Sequence, residues 1–274
     1  MYITNNSDVA LIAERFGVDR IWIDLETLGK EKRQCNMNTV KSHHTVKDVE
    51  KMSRVLTKSE LLVRVNPINE CSQKEIDEVI QAGANIIMLP MWKTVDDVSL
   101  FLKYVNGRAK TILLLETKEA VQCIDDVLQI GGFDEIHIGL NDLHLSYKLN
   151  FMFELLANGT VEMLCNKIKK TSVKYGFGGI ARLGSGALPA EKIITEHYRL
   201  GSTMAILSRS FCNSVEITDL AVIEKIFGEN IAKLRAFEND LANMDNTFFS
   251  QNLQAIKTIV EQIVENIRSR ENDN

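Results

Sequence analysis

The sequence predicts a closed (β/α)8 TIM barrel with a C-terminal helical extension. Three observations carry that expectation. Apolar runs of strand length alternate with segments of helical period from Tyr2 to Leu207, and strand–helix alternation implies a parallel sheet. The run Ile112 to Leu115 lacks the in–out alternation of a half-exposed sheet, as suits a strand covered on both faces. Polar residues gather at the carboxyl ends of the runs, where such a barrel carries its active site. They are Asp24 and Glu26, Arg64 and Asn66, Glu116, Asn141 and Asp142, Arg182, Ser208 and Arg209. A doubly wound open sheet ranks lower, because no glycine-rich dinucleotide fingerprint follows an early strand.

The elements follow in order. Tyr2 to Thr4 reads as a minimal strand, and Asp8 to Phe16 as a helix capped by Ser7 or Asp8. Ile21 to Glu26 is the second strand, ending acidic, and Gly29 to Arg33 is a polar, basic loop. Thr45 to Leu56 carries Val46, Val49, Met52 and Val55 on one helical side. Leu61 to Asn66 is the third strand, which Pro67 stops. Ser72 to Ala82 is a helix ended by Gly83, Asn85 to Leu89 the fourth strand, and Val95 to Val105 a helix. Ile112 to Leu115 is the fifth strand. Thr117 to Ile130 has an apolar stripe at Ala120, Val121, Ile124, Val127 and Leu128, and Gly131-Gly132 ends it. Glu135 to Leu140 is the sixth strand, so two consecutive strands run out into Glu116 and Asp142. Met152 to Tyr175 is helical around a break at Gly159, and Phe177 to Ala181 is the seventh strand. Glu191 to Leu200 is a helix entered through Pro189, and Thr203 to Leu207 closes the set.

The 274 residues, 45% hydrophobic and 25% charged, suffice for one large core. Residues 1–212 form the expected barrel domain and 213–274 the extension. The extension has one apolar stripe from Leu220 to Leu241 and a second through Phe248, Leu253, Ile256, Val260, Ile263 and Ile267. One is expected on the barrel and the other on a neighbouring subunit, which makes a homo-oligomer. A net charge of −5 leaves no basic footprint for nucleic acid. No apolar run is long enough to span a bilayer, and the N-terminus lacks a secretory pattern, so no membrane partner is expected. Five cysteines stand singly, an odd number without a CxxC pair. That argues against a disulfide framework or a cysteine zinc site and fits a reducing cytoplasm.

Glu116 and Asp142, on neighbouring parallel strands, would emerge at one rim. Two carboxylates there suit a hard divalent cation with positions left for water and substrate. The plainer reading is a helix N-terminal acid and a turn cap. The segments Ile23-Asp24-Leu25-Glu26, Val63-Arg64-Val65-Asn66, Met88-Leu89-Pro90-Met91, Leu115-Glu116-Thr117 and Gly139-Leu140-Asn141-Asp142-Leu143 occur in that order. Their order and spacing resemble the HpcH/HpaI aldolase and citrate lyase β-subunit family over roughly residues 1–212. The resemblance implies a metal-dependent lyase acting on a small oxo-acid or its aldol adduct. It implies Mg2+ or Mn2+ on Glu116 and Asp142, and Arg64 on the keto or enolate oxygen. It also implies backbone amides of Gly139, Leu140 and Asn141 on the substrate carboxylate, and helix exchange between subunits.

The departures bear on the base. The pyruvate-aldolase branch has a histidine after the second-strand acid; here it is Thr27. The Asp-Leu-Glu segment with Lys30 and Arg33, and the Arg-Val-Asn segment, look closer to the CoA-ester lyase branch, whose CoA-binding determinants are not visible. A CoA-thioester lyase is therefore one alternative, and a barrel without catalysis serving as a scaffold another. His44, in the His43-His44 pair after the second strand, is a candidate base, and His144 a candidate neighbour of the metal aspartate. His137 reads as a core histidine, and Glu196-His197-Tyr198-Arg199 as packing on the opposite face. Glu26 is a candidate partner of Arg64. Arg182 precedes a Gly-Ser-Gly turn that could hold an anion at a helix N-terminus.

Overall fold

The structure, a computed structural model, describes residues 1–29 and 44–272. The basic loop residues Lys30 and Arg33, and His43, lie outside them. Eight strands form one sheet in sequence order, with every neighbouring pair parallel. They are β1 (Tyr2–Ile3), β2 (Arg20–Asp24), β3 (Glu60–Arg64), β4 (Ile86–Leu89), β5 (Lys110–Leu115), β6 (Glu135–Ile138), β7 (Lys174–Ile180) and β8 (Met204–Leu207). The seam is bridged at Met1, whose N–H donates to Ala205 O at 3.0 Å and whose carbonyl accepts from Leu207 N–H at 2.8 Å. The expected TIM-type barrel is therefore what the chain forms.

Helices alternate with the strands: α1 (Ser7–Arg15), α2 (Val46–Val55), α3 (Ser72–Gln81), α4 (Val95–Val105), α5 (Lys118–Gln122), α6 (Ile124–Ile130), α7 (Leu140–Ser146), α8 (Glu154–Ala157), α9 (Thr160–Ile168) and α10 (Ala190–Leu200). Several starts have a local cause. Asn6, one residue before the expected cap, accepts from Asp8 and Val9 N–H. Thr45 with Asp48 and Thr94 with Asp97 form capping boxes at α2 and α4. Three boundaries differ from the sequence reading. The helix after β5 is two, because Cys123 leaves helical dihedrals (φ −101, ψ 11). The segment expected to stay helical to Tyr175 ends at Ile168, whose carbonyl accepts the Thr171 hydroxyl; Tyr175 then pairs with Ile136 in the sheet. Asp142 is not at a strand end: Gly139 turns the chain, and Asp142 sits in the first turn of α7.

Two apolar layers result. Trp22, Leu62, Ile86, Met88, Ile112 and Leu114 fill the barrel, and the larger cluster lies between strands and helices. Ion pairs close the amino-terminal end of the barrel. Arg20 donates to Glu135 through Nη1 (2.5 Å) and Nη2 (2.7 Å) and to Glu60 through Nε (3.3 Å).

The extension forms α11 (Leu220–Leu241) and α12 (Asn246–Asn272). α11 packs on α1 with Ile223, Phe227 and Ile231 buried. α12 packs on α8 and α10 with Ile256, Val260 and Val264 buried. Of the second stripe, Ile256 and Val260 are covered within the chain, Leu253, Ile263 and Ile267 are half-buried, and Phe248 is exposed. Asn252 fixes that docking by donating to Lys192 O (3.0 Å) and Glu196 Oε1 (3.2 Å).

Candidate functional site

The parallel registers bring one set of polar residues to the carboxyl-terminal mouth. Asp24 pairs with Arg64 in the β2–β3 register, so equal strand ends put an acid beside a guanidinium. Arg64 Nε donates to Asp24 Oδ1 and Nη2 to Asp24 Oδ2, both at 2.8 Å, a bidentate fork. Nη2 also lies 3.2 Å from Glu26 Oε2. Below the fork, the guanidinium carbon stands 5.1 Å from the centre of the Trp22 ring. Burial alone would lower the Arg64 pKa. Asp24, Glu26 and, more weakly, Glu116 outweigh it and raise the pKa, so Arg64 stays charged. Among the described residues Arg64 Nη1 has no hydrogen-bond partner.

Glu116 follows β5 and is buried. Its Oε1 accepts Met91 N–H at 3.1 Å. Met91 holds φ +53, unusual for a side chain of that size, so the turn after β4 is strained where it meets the carboxylate. The next residue is fixed as well, since Thr117 Oγ1 donates to Trp92 O at 2.8 Å. On the other side, a Cβ added to Gly139 would stand 3.0 Å from Glu116 Oε2. Gly139 thus gives the carboxylate its space, and Asp142 lies within the helical turn that starts there. Among the described residues, no three His, Cys, Asp or Glu side chains group as an enclosing metal cage. Glu116 and Asp142 offer two hard oxygen donors, a partial set that fits a Mg2+-like ion completed by water and substrate.

The comparisons with known proteins meet this geometry. The profile of the HpcH/HpaI aldolase/citrate lyase family matches residues 1–153. The chain belongs to that family. Comparison with curated protein sequences gives no match. Among solved structures, an HpcH/HpaI aldolase from Desulfitobacterium hafniense is 16% identical, with 85% of this chain and 91% of that one covered, at a TM-score of 0.57. A family protein from Burkholderia cenocepacia is also 16% identical, with 82% and 94% covered and a TM-score of 0.59. The citrate synthase SbnG is 17% identical, with 82% and 92% covered and a TM-score of 0.56. At these identities the structures support the shared barrel; the family profile supports a lyase or aldolase.

The remaining candidates separate within this HpcH/HpaI frame. His44 does reach the rim: its Nδ1 accepts Asp24 N–H at 3.0 Å. His144 points away from the direction of Asp142 on the same helix. It lies two residues past Asp142 on α7, about 200° around the helix, and its Nδ1 bonds Leu140 O at 3.2 Å. The amides of Leu140 and Asn141 precede the first helical bond of α7, from Leu143 N–H to Gly139 O. The Gly139 N–H is different, since it donates to Leu115 O at 2.9 Å and extends the β5–β6 ladder. The Gly139 amide is thereby engaged in the sheet, and what this residue leaves beside Glu116 is the space of its missing side chain. Arg182 Nε donates to Ser210 O (3.3 Å), tying two rim loops together. The Gly-Ser-Gly turn already holds an anion, because Gly184 N–H donates to Glu191 Oε1 at 2.5 Å. Asp24, which sequence reasoning left among the strand-end acids, is the one the structure forks onto Arg64; the equal offset of parallel strand ends was the signal for that pairing.

Proposed function

We propose that this chain is a divalent-metal-dependent carbon–carbon lyase of the class II aldolase type, cleaving or forming an aldol adduct of pyruvate or a related 2-oxo acid. The observation that carries the reading is the Arg64 fork. Asp24 and Glu26 orient the guanidinium from one side, and Nη1 has no partner among the described residues. Glu116 and Asp142 would hold Mg2+ or Mn2+. Such an ion, when bound, acts as a Lewis acid toward negative charge on the substrate oxygens.

The chain's own groups do the rest. Arg64 donates to the keto oxygen as charge develops on it, a contribution of about 2.7–4 kcal/mol to the barrier if it behaves like a single oxyanion donor. Asp24 keeps the guanidinium from turning as that charge appears. The first-turn amides of Leu140 and Asn141 suit the substrate carboxylate. His44 uses its Nδ1 lone pair for Asp24 N–H, so the neutral ring carries its proton on Nε2. It is poised to give a proton from Nε2, and a role as base requires that hydrogen bond to break. The singly scattered cysteines support a cytoplasmic location, and the implied subunit helix exchange supports a homo-oligomer.

The test is exchange of pyruvate methyl protons in D2O with Mg2+ or Mn2+, for the native chain and Glu116→Ala. Metal-dependent exchange that disappears in the variant is the expected result. A folded, metal-binding protein without exchange overturns the pyruvate reading and moves the search to CoA esters.

A further inference from the structure

β2 ends at Asp24, yet every backbone amide from Asp24 to Leu28 has an acceptor. Asp24 N–H donates to His44 Nδ1 (3.0 Å), Leu25 N–H to Arg64 O (2.9 Å) and Glu26 N–H to Asp24 Oδ1 (3.2 Å). The amides of Thr27 and Leu28 converge on one atom, Asn66 Oδ1, both at 2.9 Å. The Thr27 hydroxyl donates to the same oxygen at 3.3 Å. Thr27 and Leu28 are exposed, whereas Glu26 just before them is buried, with Oε2 3.2 Å from Arg64 Nη2. A carboxylate is thus held inside at the edge of exposed backbone. Beyond Leu25 the ladder no longer sets the path of the chain, and Asn66 is the group that fixes its turn.

Asn66 is itself held. It lies two residues past Arg64, beyond the end of β3. Its Nδ2 donates to Glu75 Oε1 (2.8 Å) and Leu25 O (3.4 Å), and its backbone N–H lies 3.2 and 3.3 Å from the two Glu75 oxygens. Glu75 stands in the first turn of α3. An ionised carboxylate only accepts and a backbone N–H only donates. Glu75 on one side and the Thr27 and Leu28 amides on the other therefore leave the carboxamide one orientation. Reversing it would set donors against donors and oxygen against carboxylate.

We propose that Asn66, oriented by Glu75, is a positioning residue for the Arg64 site: it holds the exit of β2 so that Glu26 stays on Arg64 Nη2 and the guanidinium keeps its aim. The catalytic consequence rests on the oxo-acid reaction proposed above; the geometry does not. Neither residue touches the substrate. Arg64 gains most as charge develops on the keto oxygen, so a loss of aim lowers kcat more than it raises KM.

The experiment compares the native chain with Asn66→Ala, Glu75→Ala and the exchanged pair Asn66→Asp with Glu75→Gln. The pair moves the carboxamide to α3 and the carboxylate to the end of β3, so donor and acceptor still face each other at unchanged net charge. Three signals are read: hydrogen exchange of the Thr27 and Leu28 amides, the NMR resonance of Arg64 Nε–H, and pyruvate methyl-proton exchange with Mg2+ at varied pyruvate. Asn66→Ala should speed amide exchange at both positions roughly three- to tenfold and shift the Arg64 resonance. It should lower kcat roughly ten- to a hundredfold, with KM changed less than about threefold. Glu75→Ala should act in the same direction, and it is read in place of Asn66→Ala if that chain fails to fold. The exchanged pair should recover the Arg64 resonance and most of the native rate. A folded Asn66→Ala chain with the native Arg64 resonance and native kcat overturns the proposal, and so does an exchanged pair as slow as Asn66→Ala. A native chain without pyruvate exchange refutes the reaction instead, and the Thr27, Leu28 and Arg64 signals then decide the positioning by themselves.

Discussion

Alanine at Gly139 tests the site without touching a charged group. An ideal Cβ there meets Glu116 Oε2 at 3.0 Å, Glu116 Cβ at 3.1 Å and Leu114 Cδ1 at 3.2 Å. Comfortable carbon contacts begin near about 3.5 Å, so the neighbours must retreat by roughly 0.3–0.5 Å. The backbone itself accepts alanine, since Gly139 has φ −82. Glu116 is poorly placed to move. Its Oε1 is held by Met91 N–H, and Thr117 beside it is tied to Trp92 O. Leu114 is locked in the barrel interior. Such overpacking destabilises by about 1–3 kcal/mol. A displacement near the tolerance of about 0.5 Å for a catalytic constellation should lower turnover by roughly ten- to a hundredfold. The assay pairs pyruvate proton exchange with Mn2+ titration by electron paramagnetic resonance, and thermal unfolding checks the fold. Weaker Mn2+ binding and slower exchange in a folded Gly139→Ala chain is the expected outcome. Native Mn2+ affinity together with native exchange would refute the idea that Gly139 makes room for a metal-binding Glu116.

Two further outcomes follow from burial. Asp24→Ala removes both bonds of the Arg64 fork and leaves Glu26 as its described partner, so unfolding in urea should show a loss of about 3–5 kcal/mol; a loss under about 1 kcal/mol contradicts a buried pair. His137 and His197 have pKa values lowered to about 3 by burial, against 6.5 for an ordinary histidine. The unfolded chain takes up protons first, so the stability from these neutral rings is intact above 6.5 and lost as pH falls from there toward 3. Between pH 7.5 and 5.5 the pair should remove about 3 kcal/mol, and His197→Phe should remove about half of that dependence. An unchanged pH dependence in the variant would show that His197 titrates normally.

Most of the barrel was legible because a strand buried on both faces leaves an uninterrupted apolar run, and β2 through β5 have such runs. What failed to read was local. Asp142 looked like a strand end because Gly139 and Leu140 are as compatible with a strand as with a turn into a helix; the dihedrals at Gly139 decide it. Tyr175 belongs to a strand although it continues a helical pattern, because the Thr171 hydroxyl ends the last turn at Ile168. The stripe on α12 was visible, but its partner was not: an apolar face states that it is covered, and only packing says whether by another chain or by α8 and α10. At the site, Glu116 and Arg64 were named from their strand ends. The Met91 turn and the Trp22 face could not be, because both act through positions rather than residue type.

The two ends of the barrel show why composition alone could not separate structure from function. Each carries an arginine among strand-end carboxylates. Arg20 at the amino-terminal end uses all three nitrogens: Nε on Glu60, and Nη1 and Nη2 on Glu135. Arg64 at the carboxyl-terminal end uses Nε and Nη2 on Asp24 and Glu26 and keeps Nη1 without a partner among the described residues. The first arrangement has every nitrogen of its arginine on a carboxylate. The second is held rigid by part of its donor set, and on the proposed reading the remainder is preorganised for a charge that comes and goes. Strand polarity fixes which end is which, and the difference in saturation, rather than the residue types, distinguishes a clasp from a site.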